Sequence, residues 1–304
     1  MEEGLIEFKE VTKFFGKNTI LDSINLKIPE GKITGIIGAS GEGKSTILKM
    51  MASFYKPTKG KIYYQGKDVL RNHKIVSRLF GLAIEDGSFY EKLSVKENLY
   101  HFGRLHQVKN DLLKKRVEEL ISLVGLEKAS KTLAENLSIG MKKRLDVACS
   151  LVHSPAVLIL DEPTADLDPL LRKQMLKLIK QINSHGTTIV LTTQLLEEAE
   201  EICEKVAILF NEKIIEEGEP SKIKKKYNSS SLDDVFKKIF SKETRKTYQE
   251  SSTKKTKLKI PKKKTEKKKS LIVKKEELDK LIKKASLKED SESILKNING
   301  GIIK

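Results

Sequence analysis

The 304-residue chain has no tryptophan, two cysteines and seven prolines, and aromatic side chains make up only 6% of it. Cys149 and Cys203 are too few for the disulfide framework that small secreted domains need, so packed thiols in a reducing, cytosolic setting are expected. No apolar run approaches the roughly 18–20 residues that cross a bilayer. Met1-Glu2-Glu3 is acidic where a secretory leader carries its positive charge, so a soluble or peripheral protein is expected. His73, His101, His106, His153 and His185 show no metal-ligand spacing. No segment repeats.

Charge of one sign is abundant instead. The formal net charge is +17, yet between Lys242 and Lys304 there are 21 Lys and Arg against 9 Asp and Glu, so +12 of it sits there. Residues 1–241 carry only +5. The region 242–270 is rich in Lys, Ser and Thr and reads as a disordered linker. Residues 271–304 regain helical spacing through Leu278, Leu281, Ile282 and Ala285 and read as a small helical tail. The Lys-rich run has almost no aromatic residues to stack on bases, which argues against nucleic acid. A solvated charge run is the plainest reading, and attraction to an anionic membrane surface the next.

The most informative stretch is Gly38-Ala39-Ser40-Gly41-Glu42-Gly43-Lys44-Ser45-Thr46, which fits the phosphate-loop pattern G-x-x-x-x-G-K-[ST]. Ile33 to Ile37 before it reads as a buried strand, and KSTILKMMAS from Lys44 as a helix. Glycines let backbone N–H groups curl around an anion, and the helix N-terminus adds the positive end of its dipole. Lys44 can reach the β- and γ-phosphates of a nucleoside triphosphate, and the Ser45 hydroxyl can ligate Mg²⁺.

Around this loop, LIEFKEV from Leu5 and TILDSINLKI from Thr19 read as half-buried strands, with Phe14-Phe15-Gly16 between them. KIYYQGKD from Lys61 adds another strand and turn, giving an antiparallel β layer. Residues 94–150 read as a helical subdomain. In it Asp111 is expected to cap a helix whose stripe is Leu113, Val117, Leu120, Ile121 and Val124, ending at Gly125. AVLIL from Ala156 is a buried strand ending in Asp161 and Glu162. A helix over 169–183, a strand over 187–193, the helix LLEEAEEICE and the strand VAILF continue the alternation of a parallel α/β sheet. SLDDVFKKIF closes the domain near residue 241. The expected fold is α/β: a phosphate-loop NTPase core, mostly parallel sheet with flanking helices, plus the antiparallel layer and the helical subdomain. Asp161 stands where a phosphate loop's Mg²⁺ needs an acid, and Glu162 where a general base would polarise the attacking water.

With these elements in order, the chain over residues 4–241 resembles an ATP-binding-cassette (ABC) ATPase. The resemblance rests on the phosphate loop, Leu137-Ser138-Ile139-Gly140-Met141, LILDEP, Ala165-Asp166-Leu167-Asp168 and TTIVLTTQ. It is nearest to subunits of the drug and antibiotic exporter type, through LLEEAEEICEKVAIL, IIEEGEP and SLDDVF. The resemblance implies ATP and Mg²⁺, a transmembrane permease encoded separately, and a second ABC ATPase subunit, identical or not, meeting this one head to tail. It places the chain peripherally on the cytoplasmic face of the membrane. Ser138, Ile139, Gly140 and Met141 would face the partner's nucleotide, Asp168 would lie in the loop crossing the dimer interface, and Phe15 would stack on adenine, a core aromatic being the alternative. Three positions depart from the family pattern. Ile139 replaces a glycine, Glu85 a metal-sensing glutamine, and Gln194 a histidine that contacts the γ-phosphate. Turnover that is slow, or that needs a non-identical partner, is therefore expected. A soluble ABC protein acting on nucleic acid or ribosomes, and a regulatory ATP switch with little turnover, are the alternative functions.

Overall fold

The computed structural model describes residues 4–69, 73–85, 87–239 and 241. The Lys-rich linker and helical tail expected over 242–270 and 271–304 lie outside the described residues.

The strands of the main sheet are apolar almost without interruption because both of its faces are covered. β1 (Ile6–Phe15), β2 (Asn18–Ile28), β4 (Lys59–Tyr64) and β5 (Lys67–Asp68) form a four-stranded antiparallel sheet in the order β2-β1-β4-β5. β3 (Ile33–Ile37), β6 (Phe80–Ala83), β7 (Val157–Asp161), β8 (Thr188–Thr193), β9 (Lys205–Phe210) and β10 (Lys213–Gly218) form the second, in the order β10-β9-β3-β8-β7-β6. Its pairs are parallel except β9 with β10.

Side-chain alternation along β7 shows how the two layers are held. Val157 and Ile159 join Ile47, Leu48 and Met51 of α1 (Lys44–Met51) and the antiparallel sheet in one core. Leu158 and Leu160 face the other way, into a core with α5 (Ile139–Leu151), α6 (Pro169–Ser184) and α7 (Leu196–Ile202). The helical region adds α3 (Val95–Leu105) and α4 (Asn110–Leu123) to that second core. α3 opens with a capping box between Ser94 and Glu97.

The structure departs from the sequence reading at several boundaries. β1 runs on through Phe15, so Phe14 and Phe15 belong to a strand and the turn begins at Gly16. Lys109, with an extended backbone, occupies the cap position of α4, while Asp111 sits inside the first turn. There it acts on the helix dipole rather than as a cap. The stripe from Leu113 to Val124 is buried as expected.

α2 (His73–Leu79), β6, β10 and α8 (Pro220–Lys226) were not foreseen. β6 is four residues long and broken in sequence by Gly81. That glycine has a packing reason: a Cβ there would lie 2.1 Å from the Ser150 carbonyl oxygen of α5. Gly81→Ala is accordingly expected to destabilise the fold by about 1–3 kcal/mol through overpacking. Urea denaturation checks this, and an unchanged midpoint would show that β6 and α5 separate freely.

Candidate nucleotide site

The loop between β3 and α1 has little conformational choice. A Cβ on Gly38 would come 2.5 Å from the Leu209 carbonyl oxygen of β9, and Gly43 stands at φ +100°, in the left-handed region that favours glycine. α1 begins at Lys44 with no side-chain cap and no acid in its first turn, whereas α3, α5 and α6 are capped by Ser94, Ser138 and Asp168. An uncapped helix N-terminus behind a glycine-rich loop leaves its N–H groups for an external anion.

Buried polar groups converge on that end. The Lys44 ammonium, in a residue 5% exposed, donates to the carbonyls of Gly38 and Ala39, both at 3.0 Å. It also lies 3.2 Å from Oε1 of Glu162, an oxygen that makes no hydrogen bond among the described residues. Ser45 Oγ donates to Asp161 Oδ1 at 3.0 Å, and Thr192 Oγ1 donates to the same oxygen at 2.7 Å. Thr192 Oγ1 in turn accepts from the Glu162 N–H at 3.0 Å. This bond holds Glu162 at φ +47°, a strained value for a non-glycine residue. Asp161 pairs with Thr192 across β7 and β8, so both carboxylates lie at the C-terminal edge of the parallel sheet, beside the loop.

The other candidate residues are distributed around this centre. Ala83 pairs with Leu160, so Glu85, two residues further on, leaves the same sheet edge. It is exposed, and its carbonyl accepts from Lys143 Nζ at 2.6 Å. Gln194 is exposed one residue beyond β8. Phe15 is 43% exposed, with Tyr55 edge-on at 5.3 Å and Lys13 Nζ 4.8 Å over its ring. Ser138 caps α5 by accepting from the Met141 N–H at 3.3 Å. Gly140 is buried against Leu171 of α6, whereas Ile139 points outward, 57% exposed. Among the described residues no hydrogen bond or ion pair joins residues 138–141 to residues 38–46. Asp168 caps α6, accepting from the N–H groups of Leu170 and Leu171 at 2.9 and 3.0 Å.

One buried group was missed from the sequence. Glu198 of α7 accepts from Thr164 Oγ1 at 2.6 Å and Thr193 Oγ1 at 3.3 Å, and pairs with Arg172 Nε at 3.2 Å. It thereby ties the chain after Glu162 to the chain before Gln194. Burial raises its carboxyl pKa, Thr164 and Arg172 oppose that rise, and the Glu162 charge adds to it. In sequence it is one of several glutamates in LLEEAEEICE, with no local signal that singles it out.

Beside the site, a cavity of about 650 Å³ opens between the core and the helical region, lined mainly by apolar groups including Tyr55, Val76, Phe80, Ile84 and Phe102. His106 and His153 stack in its wall, centroids 3.7 Å apart and nearly parallel. Burial, followed by the neighbouring His106, pushes His153 from 6.5 down to about 4.

Fold and site together define the class: an α/β nucleoside triphosphatase with a glycine-rich loop at a strand–loop–helix junction. Residues 21–165 match the model of the ABC transporter family. The chain is 32% identical over 236 residues to the daunorubicin resistance ATP-binding protein DrrA3 of Streptomyces coeruleorubidus, covering 78% of this chain and 75% of that one. It is 34% identical over 239 residues to the bacitracin transport ATP-binding protein BcrA of Bacillus licheniformis, covering 77% of each. Among solved structures, the ATP-binding subunit of an ABC transporter superposes with a TM-score of 0.71 at 25% identity, over 78% of this chain and 99% of that one. The chain belongs to the ABC transporter family, as an ATP-binding subunit with the ATPase fold.

Two stability measurements follow from this geometry. Asp168→Ala is expected to cost about 1 kcal/mol without any nucleotide, and Asp168→Asn much less, because the group is a helix cap. Because the folded pKa of His153 lies below its unfolded value, the contribution of neutral His153 is fully present above pH 6.5 and is lost as pH falls through about 4. Chemical denaturation across this window is expected to show a slope that His153→Gln flattens; an equal slope in the variant contradicts the assignment.

Proposed function

We propose that this chain binds Mg-ATP at residues 38–46, 161 and 162, hydrolyses it, and powers a separately encoded permease of the exporter type from the cytoplasmic face of the membrane. The observation that carries the reading is the buried contact set linking Lys44 with Glu162 and Ser45 with Asp161. Its exporter element is supported by the relatives, which are named for drug resistance and bacitracin transport.

The donor atoms suit magnesium. Ser45 Oγ and the Asp161 carboxylate are hard oxygens already brought together, as Mg²⁺ prefers, and the exposed Glu85 carboxylate, on the segment leaving the same edge, would supply a third. When bound, the ion neutralises charge on the β- and γ-phosphate oxygens. Lys44 exchanges its contact with Glu162 for phosphate oxygens. Glu162, freed from the ammonium and held by Thr192, then accepts a proton from the attacking water. The Gln194 amide donates to the γ-phosphate without adding charge. Phe15, braced by Tyr55 and Lys13, carries the adenine on its exposed face.

In one chain the site is half built. Ser138 and the backbone of Gly140 present the N-terminus of α5 outward, to cap the γ-phosphate held by a second cassette subunit, and Asp168 fixes the turn that meets that partner. Ile139 stands on this surface, where its bulk limits close approach to phosphate. The permease docks at Glu85 and the helical region beside it, over the apolar cavity. The Lys-rich residues after 241 add attraction to anionic lipid, at about 1 kcal/mol per lysine near the surface.

Steady-state hydrolysis of Mg-ATP tests this. Glu162→Gln is expected to lower kcat by about 10²–10⁴-fold, the scale of a general base, while ATP still binds. Phe15→Ala is expected to weaken ATP binding about 5- to 150-fold, the scale of one base–aromatic stack. Wild-type turnover in Glu162→Gln would overturn the mechanism.

A further inference from the structure

The helix that begins at Ser138 is fastened to the segment bearing Glu85 along one face. Lys143, Asp146 and Ser150 follow one another at intervals of three and four, so they stack along one side of α5. Lys143 Nζ donates to the Glu85 carbonyl at 2.6 Å. Asp146 Oδ1 accepts from the Ser88 N–H at 2.8 Å. Ser150 Oγ donates to the Leu82 carbonyl at 2.8 Å. Lys143 is a flexible side chain and Ser150 holds the end of β6; of these three α5 residues, Asp146 fixes the chain just beyond Glu85 from a rigid, buried position, 2% exposed, and Asn98 of α3 holds it further on, at Tyr90.

We propose that Asp146 is a positioning residue: its carboxylate latches the chain at Ser88 to α5, and so sets where Glu85 stands relative to Asp161 and to the Ser138 end of the same helix. The role assigned to Glu85 as a metal-side oxygen is that of the function proposed above, and the inference rests on it.

Three observations point the same way. A buried carboxylate is costly unless it is hydrogen-bonded, and the Ser88 N–H supplies that bond to Asp146. Burial pushes the Asp146 carboxyl up to about 6, and the Ser88 backbone bond is the foremost influence pulling it down. Asp146 and Asp161 also line one small cavity of about 10 Å³, together with Ala83, Ile84, Lys143 and Pro163, so the latch adjoins the strand end that bears the metal-side acid. α5 is thus one stave. Its first turn presents Ser138 to a partner's nucleotide, and its middle holds the segment of Glu85, whose neighbours Ile84 and Ser88 line the 650 Å³ cavity.

The test uses the full chain with Asp146→Ala, Asp146→Asn and, in parallel, Glu85→Gln. Asp146→Ser, one atom shorter, is a second loss variant if Asp146→Ala does not fold. Hydrogen exchange at the Ser88 amide is expected to quicken about tenfold or more in Asp146→Ala, and to stay within about threefold of wild type in Asp146→Asn, whose carbonyl oxygen still accepts. The Mg²⁺ concentration giving half-maximal ATP turnover is expected to rise about tenfold in Asp146→Ala, with metal-free ATP affinity unchanged and Asp146→Asn restored. Unchanged Ser88 exchange in Asp146→Ala overturns the latch. Faster exchange with an unmoved Mg²⁺ requirement, while Glu85→Gln shifts that requirement, overturns the positioning role. If Glu85→Gln leaves the requirement unmoved, the metal role of Glu85 fails and the inference about its placement fails with it, while Ser88 exchange still reports on the hydrogen bond itself.

Discussion

A buried ammonium needs compensation, and the Lys44 side chain obtains it from two carbonyls of its own loop and from Glu162 across the sheet edge. Each partner constrains part of the fold. The carbonyls require the tight turn that Gly38 permits against β9. Glu162 requires its left-handed backbone, which Thr192 pins from β8, and Thr192 also orients Asp161 toward Ser45. Three neighbouring strands, β3, β7 and β8, are therefore locked to one another at the point where a triphosphate would enter. The pairing holds both charges in place, and on the function proposed above it would give way to a ligand that offers Lys44 more negative charge than one carboxylate does.

The second constraint is geometrical. α5 and α6 start side by side, Gly140 against Leu171, each with a side-chain cap that fixes its first turn. No hydrogen bond or ion pair joins this surface to the phosphate loop among the described residues, and on the function proposed above it would complement another subunit's site. α5 then runs back under β6, so close that Gly81 must lack a side chain. The surface around Ser138 and the segment bearing Glu85, which the proposed function assigns to a partner cassette and to the permease, are thereby both held by one helix.

Much of this was legible in the sequence because it is written locally. The phosphate loop, the run ending in Asp161-Glu162 and the stripe of α4 each declare themselves within a dozen residues. What was not legible depends on distant chain segments. Glu198 is buried because α7 packs where Thr164, Thr193 and Arg172 converge, and nothing in a glutamate-rich helix marks which carboxylate turns inward. β6 is too short and too glycine-bearing to show a strand pattern, yet it carries Glu85 to the sheet edge. Asp111 looked like a cap from residue type alone, whereas the start of α4 was set by the extended backbone of Lys109. Asp146 reads as one polar residue in a helix until Ser88 is seen opposite it.

Whether Lys44 and Glu162 await a triphosphate is decided by calorimetric titration of ATP into the full chain, beside Lys44→Ala and Glu162→Gln. The account predicts saturable binding that Lys44→Ala weakens at least about a hundredfold, a loss on the scale of a buried charge-assisted contact, and that Glu162→Gln leaves equal or stronger because Lys44 no longer has to part from a carboxylate. Equal affinity in wild type and Lys44→Ala would contradict it.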